Sequence, residues 1–274
     1  MRSSGTALPL VVVLIASTAL HGQNWAGRWL DRVSATQSEQ PHWMTPIATV
    51  TPRLEQELRF DVLHEVTPTG NVTNLDGGKG LEVIPTRHTE LLINLPPYLV
   101  HSNRETVDGW GDASFTLKYR FLARNEQHHG GAIITGFLGG SIPTGTYKNG
   151  SSSAVVTPTL AAGKGWGPFD VQSTLGGTFP VNSVNTLGHT VLSNTTIQVH
   201  ALKQLWPEVE INATFWAGGA NDGKKQTFAT PGLVFGRFRI HQRVAFVAGA
   251  GFQIATTHDN QYNHTFIGTL RMPF

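Results

Sequence analysis

The chain has 274 residues, of which 39% are hydrophobic and only 14% charged, with a formal net charge of +2. Soluble domains carry about a quarter charged residues, so the deficit suits an outer face that meets lipid, and the dispersed charge excludes a basic nucleic-acid surface. The absence of cysteine excludes disulfides, thiol catalysis, Cys-ligated zinc and a lipidated cysteine anchor.

Residues 1–22 have the make-up of a secretory signal peptide. Arg2 is the positive start, residues 7–16 (ALPLVVVLIA) are the apolar run, and Ser17-Thr18-Ala19 places small residues at −3 and −1. This predicts cleavage after Ala19; cleavage after Gly22 is second choice because Leu20 is a poor −3 residue. Beyond the leader no run approaches the ~18–20 apolar residues of a membrane helix. A bilayer-spanning form of this chain must therefore use closed strands.

Residues 23–52 hold Trp25, Trp29, Trp43 and three prolines without sustained alternation. They read as a periplasmic arm ahead of the barrel, with a small plug inside it as the alternative. From Arg53 a period of two begins: Leu54, Gln56, Leu58, Phe60 and Val62 alternate with Glu55, Glu57, Arg59 and Asp61. Further strands are predicted at 80–85, 90–99, 112–124, 130–142, 153–162, 169–181, 189–205, 208–218, 227–238, 243–256 and 264–274. Pro96-Pro97 should loosen pairing, since proline cannot donate to a ladder. In 112–124, Phe115, Leu117, Tyr119 and Phe121 alternate with Ser114, Thr116, Lys118 and Arg120.

The connections alternate in length. Longer ones fall at 63–79, 101–111, 143–152, 182–188, 219–226 and 257–263; shorter ones fall at 86–89, 125–129, 163–168, 206–207 and 239–242. Twelve strands with this alternation predict an all-β, antiparallel, up-and-down transmembrane barrel over 53–274, with both termini periplasmic. The last strand alternates Phe266, Gly268, Leu270, Met272 and Phe274 against Thr265, Ile267, Thr269, Arg271 and Pro273, and ends on an aromatic residue. Such a strand closes the barrel on the first one, and Phe266, Leu270, Met272 and Phe274 are the expected signal for the barrel assembly machinery. A secreted β-sandwich or jelly roll is the runner-up; it accounts poorly for the low charge and the terminal Phe.

Residues 40–52 (QPHWMTPIATVTP) leading into 53–58, then 89–97 (TELLINLPP), 109–121 (GWGDASFTLKYRF) and Thr230-Pro231-Gly232-Leu233 together resemble the phenol-degradation meta-pathway (MetA-pathway) outer-membrane family. The departures are a long stretch before Gln40 and a second proline at Pro97. The resemblance implies an outer-membrane barrel associated with aromatic catabolism.

Other chemistry is weaker. Adjacent His128 and His129 point to opposite faces of a strand, which suits a turn better than a metal site. His258, Asp259 and His264 lack a further firm ligand. Gly163-Lys164 fails the phosphate-loop pattern at Pro158 and Gly165. His189 or His200 with Ser193 leaves an outer-membrane hydrolase as an alternative. No cofactor or metal is expected. The charged inward positions Glu55, Glu57, Arg59, Asp61, Lys118, Arg120 and Glu210 are expected to line a constriction, either of a wet channel or of an ion-paired structural barrel. The expected partners are outer-membrane lipid, the assembly machinery and small-molecule solutes. The function expected is passive passage of small hydrophobic or aromatic compounds.

Overall fold

A computed structural model describes residues 25–274 except 77, 78, 128, 129 and 260. The leader and its cleavage point, and the pair His128-His129, lie outside the described residues. The strand segments are β1 (Glu57–Val66), β2 (Val72–Leu75), β3 (Leu81–Val83), β4 (Thr89–Asn94), β5 (Tyr98–His101), β6 (Gly109–Trp110), β7 (Ala113–Arg124) and β8 (Ala132–Ile142). They continue with β9 (Val155–Trp166), β10 (Phe169–Pro180), β11 (His189–Val199), β12 (Leu205–Ala217), β13 (Lys225–His241), β14 (Val244–Ala255) and β15 (His264–Pro273). A helix, α1, spans 25–38. Among the described residues no helix is long and apolar enough to cross a membrane.

Neighbouring strands pair antiparallel, and β15 pairs with β1 from Glu57↔Pro273 to Val66↔His264, so the sheet closes on itself. Closure satisfies every edge, which a sheet in lipid requires. Three wall strands are each interrupted once, as β2 with β3, β4 with β5, and β6 with β7, and the interruptions lie side by side because β2 pairs β5 and β3 pairs β4. Gly80, at φ 53°, and Pro96-Pro97 fall in the gaps. Counted as wall strands, the barrel has twelve.

The period of two then sorts the side chains. Leu117, Leu138, Leu160 and Leu175 point outward around the middle of the wall. Tyr119, Phe121, Trp166 and Phe169 ring the end at which β1 starts and β15 stops, and Trp110, Phe115, Phe179 and Phe215 ring the opposite end. An apolar band between two aromatic girdles is the surface of a barrel sitting in a bilayer. The fold and this band are those of an outer-membrane barrel.

Several boundaries differ from expectation. β1 starts at Glu57 rather than Arg53: Leu54 and Gln56 are buried, Leu54 packing with Val33 and Ile84. The stretch 63–79 is not all loop: 63–66 continue β1 and 72–75 are β2, the two forming a hairpin. Trp206-Pro207 is not a turn but lies in β12, and the chain reverses at 200–204. Pro207 is tolerated there because pairing with β11 begins only at Glu208↔Gln198, so its missing N–H removes no ladder bond on that side.

Residues 23–52 were expected as an arm, with a plug as the alternative; the described part begins at Trp25. In the structure α1 lies across the barrel end at which β1 starts, with Trp29 Nε1 donating to Ile84 O (2.8 Å), Arg32 to Pro85 O (2.7 Å) and Arg243 to Leu30 O (2.8 Å). Residues 40–56 then pass through the lumen before joining β1, and Trp43, Met44 and Ile47 are buried there.

Candidate functional site

A segment with no strand partners inside a barrel must still satisfy its backbone groups. Here wall side chains do so. Glu208 Oε1 accepts from Ile47 N (2.9 Å), and Glu210 accepts from Ala48 N (2.7 Å) and Thr49 N (2.5 Å). Arg271 donates to Thr45 O (2.5 Å) and Pro46 O (3.0 Å), and Arg59 donates to Pro46 O (3.3 Å) and Ile47 O. Arg53 donates to Trp43 O, Gln172 to Met44 O (3.0 Å) and Lys79 to Thr49 O (2.9 Å). The carbonyls from Trp43 to Ile47 thus all accept from wall side chains or from the segment's own arginine, and three successive N–H groups donate to two carboxylates.

The expected constriction residues fall at this plug. Glu55 is paired with Arg53 (2.9 Å) and accepts from Thr45 Oγ1 (3.0 Å). Arg59 is paired with Asp61 (2.8 Å). Lys118 lies between Glu90 (2.8 Å) and Glu82 (3.6 Å) and donates to Arg53 O (3.3 Å). Arg120 binds Thr36 O (2.9 Å) and Glu39 (2.9 Å), tying β7 to α1. Glu57 is buried and inward like the others. Buried charge is costly unless paired and hydrogen-bonded, and apart from Glu57, whose Oε1 is buried without a hydrogen-bond partner, these groups meet that condition through one another and through the plug.

Sequence reasoning missed the plug's apolar seat. Trp43, Met44 and Ile47 pack with the inward residues Ile133, Trp206, Val234, Val247 and Ile267. Glycines in the wall make the room. A Cβ on Gly163 would lie 2.6 Å from the Trp43 ring, and one on Gly232 would lie 2.6 Å from Ile47 Cδ1. The Gly163-Lys164-Gly165 stretch, expected as part of a turn over 163–168, is instead the last part of β9 and belongs to this seat. The available signal was a set of small and apolar residues at inward positions where a wet lumen calls for polar ones.

At the mouth, His42 donates its backbone N–H to Glu126 and its ring Nδ1 lies 2.8 Å from the same carboxylate. Burial pushes the Glu126 carboxyl up, but the hydrogen bonds from His42 outweigh it and bring the group from 4.5 down to about 2.

Toward the opposite end the lumen is not filled. Two cavities, of about 330 Å³ and 260 Å³, both touch Val50 at the plug tip and Thr116 on β7. Their polar lining is mostly threonine, serine and amide side chains, with Arg59, Asp61 and Lys79 in the larger one.

The remaining candidates do not converge. His189 and His200 sit at the two ends of β11, His189 against Phe179 (5.4 Å) and His200 stacked on Trp206 (4.1 Å), and at ~3.3 Å per strand residue neither lies beside Ser193. His264 packs against Phe252 (5.3 Å), and among the described residues no three His, Asp or Glu side chains are grouped to hold a metal. Phe266, Leu270 and Met272 face outward on β15, and Phe274 N donates to Gln56 O (3.0 Å).

No family model and no curated protein matches this sequence. Solved structures do match the fold. The COG4313 outer membrane channel from Pseudomonas putida F1 aligns with a TM-score of 0.60 at 12% identity, over 84% of this chain and 98% of that one. The NanC porin aligns with a TM-score of 0.51 at 8% identity, over 78% of this chain and 98% of that one.

Proposed function

We propose that this chain is an outer-membrane channel for small solutes, closed at rest by residues 40–52. The observation that carries the reading is the way the plug is held. Its backbone is bound by side chains of β1, β10, β12 and β15 rather than by a ladder, so it can leave as a unit while the wall keeps its pairing. Empty lumen lies directly beyond its tip. That both solved structures named above are described as an outer membrane channel and a porin supports the reading.

Helix α1 and Pro273 lie at one end of the barrel, and the short connections at that end support reading it as the periplasmic one. Solutes then enter through the longer loops and meet the plug tip from outside. No energy-coupling domain is visible in the sequence, so movement runs down a gradient. Small hydrophobic or aromatic solutes are the first candidates. The plug's apolar seat offers them a surface once vacated, and the sequence resembles an aromatic-catabolism-associated family. The hydrolase alternative loses ground because its histidines are dispersed.

Purified barrel in planar bilayers tests the reading, together with uptake of phenol into proteoliposomes. The expected result is a low-conductance channel with intermittent openings and protein-dependent phenol entry. Silent bilayers and no uptake at high protein density would instead favour the non-conducting structural barrel.

A further inference from the structure

The larger cavity beyond the plug is not charge-neutral in its chemistry. Arg59 and Asp61 in its wall are committed to each other at 2.8 Å, and Arg59 also binds two plug carbonyls. Lys79 differs. It is buried, its Nζ donates to Thr49 O (2.9 Å), and among the described residues no carboxylate lies within ion-pair distance of it. An ammonium has three N–H donors and keeps its charge in a dry site only at a cost that a partner anion offsets. Around it the cavity is apolar where it meets Leu63, Leu92 and Ile267. Its volume of about 330 Å³ lies in the ~300–1,000 Å³ range of small-molecule sites.

Resting on the channel reading above, we infer that this cavity is a binding site for small organic monoanions, with the solute's carboxylate at Lys79 and its apolar body against Leu63, Leu92 and Ile267. A neutral solute of the same shape leaves the ammonium without a counter-charge. A cationic one meets Lys79 and Arg59 directly. Because Lys79 also holds the Thr49 carbonyl, the bound anion sits at the plug tip and competes for the ammonium that fastens it.

The test uses detergent-solubilised full-length protein and isothermal titration with three matched probes: benzoate, benzyl alcohol and benzylammonium. Benzoate should bind at least about ten-fold more tightly than either of the others. Lys79→Met should remove that preference and Lys79→Arg should retain it, with heat-modifiable gel mobility confirming folded barrels. Equal binding of benzoate and benzyl alcohol to the unaltered protein would overturn the inference without recourse to any variant. So would a benzoate preference that survives Lys79→Met. Binding is read apart from passage: benzoate preference in a protein that never conducts would refute the channel reading alone, whereas conduction with no benzoate preference would refute the site alone.

Discussion

The two halves of this lumen are built from different materials. The half nearest Glu57 and Pro273 holds Arg53, Lys118, Arg120, Arg271, Glu55, Glu57, Glu82, Glu90, Glu208 and Glu210, all buried, and residues 40–49 are packed among them. The half beyond Val50 is lined mainly by uncharged polar side chains such as Thr116, Thr157, Thr159, Thr174, Asn194 and Asn212, and it holds cavities. The difference shows what the charges do. A threonine hydroxyl is satisfied by water and needs no guest. A fully buried arginine or glutamate requires strong acceptors or donors, and for Arg53, Arg59, Arg271, Glu208 and Glu210 the backbone of residues 43–49 supplies them. The densely charged half is therefore a receptor for the chain's own segment, and the half beyond its tip, where Arg59, Asp61 and Lys79 are the charges at the border, is where a solute finds room.

The largest expected effect follows from removing that receptor. Glu208→Ala with Glu210→Ala leaves three plug N–H groups without acceptors. At ~1.5–3 kcal/mol for each charged hydrogen-bonding group lost, the plugged state should weaken by about 3–6 kcal/mol. Bilayer recordings should then show mostly open channels. A mostly closed double variant would mean that the plug is held chiefly by its apolar seat.

The second effect contrasts the open half with the lipid face. Leu160→Arg at the middle of the outer band should destabilise the barrel by about 2–4 kcal/mol, and Thr116→Arg, which opens into a cavity, should cost well under that. Urea titration of folded barrel in vesicles reads both. Equal, small costs would contradict the assignment of the two faces.

Legibility in the sequence followed the same division. Alternation of Leu58 and Phe60 with Glu57, Arg59 and Asp61, and of Phe266, Leu270 and Met272 with Thr265, Thr269 and Arg271, gave the faces and the closing strand, because each wall residue obeys the period of its own strand. The plug was not legible in that way. Its backbone makes the decisive bonds, and backbone groups are identical in every residue, so residues 43–49 carry no pattern that names their partners. What the sequence did carry was indirect: Gly163, Gly165 and Gly232 inside strands, and Ile133, Val234 and Ile267 at inward positions. The reversal at 200–204 was missed for a local reason. Trp-Pro looks like a turn, and only the register with β11 reveals that Pro207 lies beyond the last β11 pair.

A third, smaller effect probes the seat of the plug. Gly163→Val places new atoms against the Trp43 ring, with only side chains in the way. Overpacking of this kind costs about 1–3 kcal/mol, here borne by the plugged state. Tryptophan fluorescence should shift toward a more solvated environment, and channel openings should become more frequent. An unchanged spectrum would place the indole elsewhere.

The smallest effect concerns the mouth. Glu126 is depressed from 4.5 to about 2 in the folded chain, with His42 as the favourable partner opposing burial. Its contribution is complete above about pH 4.5 and is lost as pH falls through the folded value near 2. Stability should therefore decline over that window, and Glu126→Gln should flatten the decline modestly, because the pair is half exposed. Urea midpoints at pH 6 and pH 3 for both proteins measure it. A decline of the same size in Glu126→Gln would assign it to other carboxylates.

The central claim is that residues 40–52 must move for anything to pass. Asn212 Nδ2 lies 3.2 Å from Thr49 Oγ1 across the plug–wall boundary, and the chain contains no cysteine of its own. The double variant Thr49→Cys with Asn212→Cys can therefore lock the plug tip to β12 by a single disulfide. In planar bilayers the oxidised protein should be silent, and adding reductant should restore the openings of the unaltered channel. An oxidised, demonstrably cross-linked barrel that conducts as well as the reduced one would contradict the account.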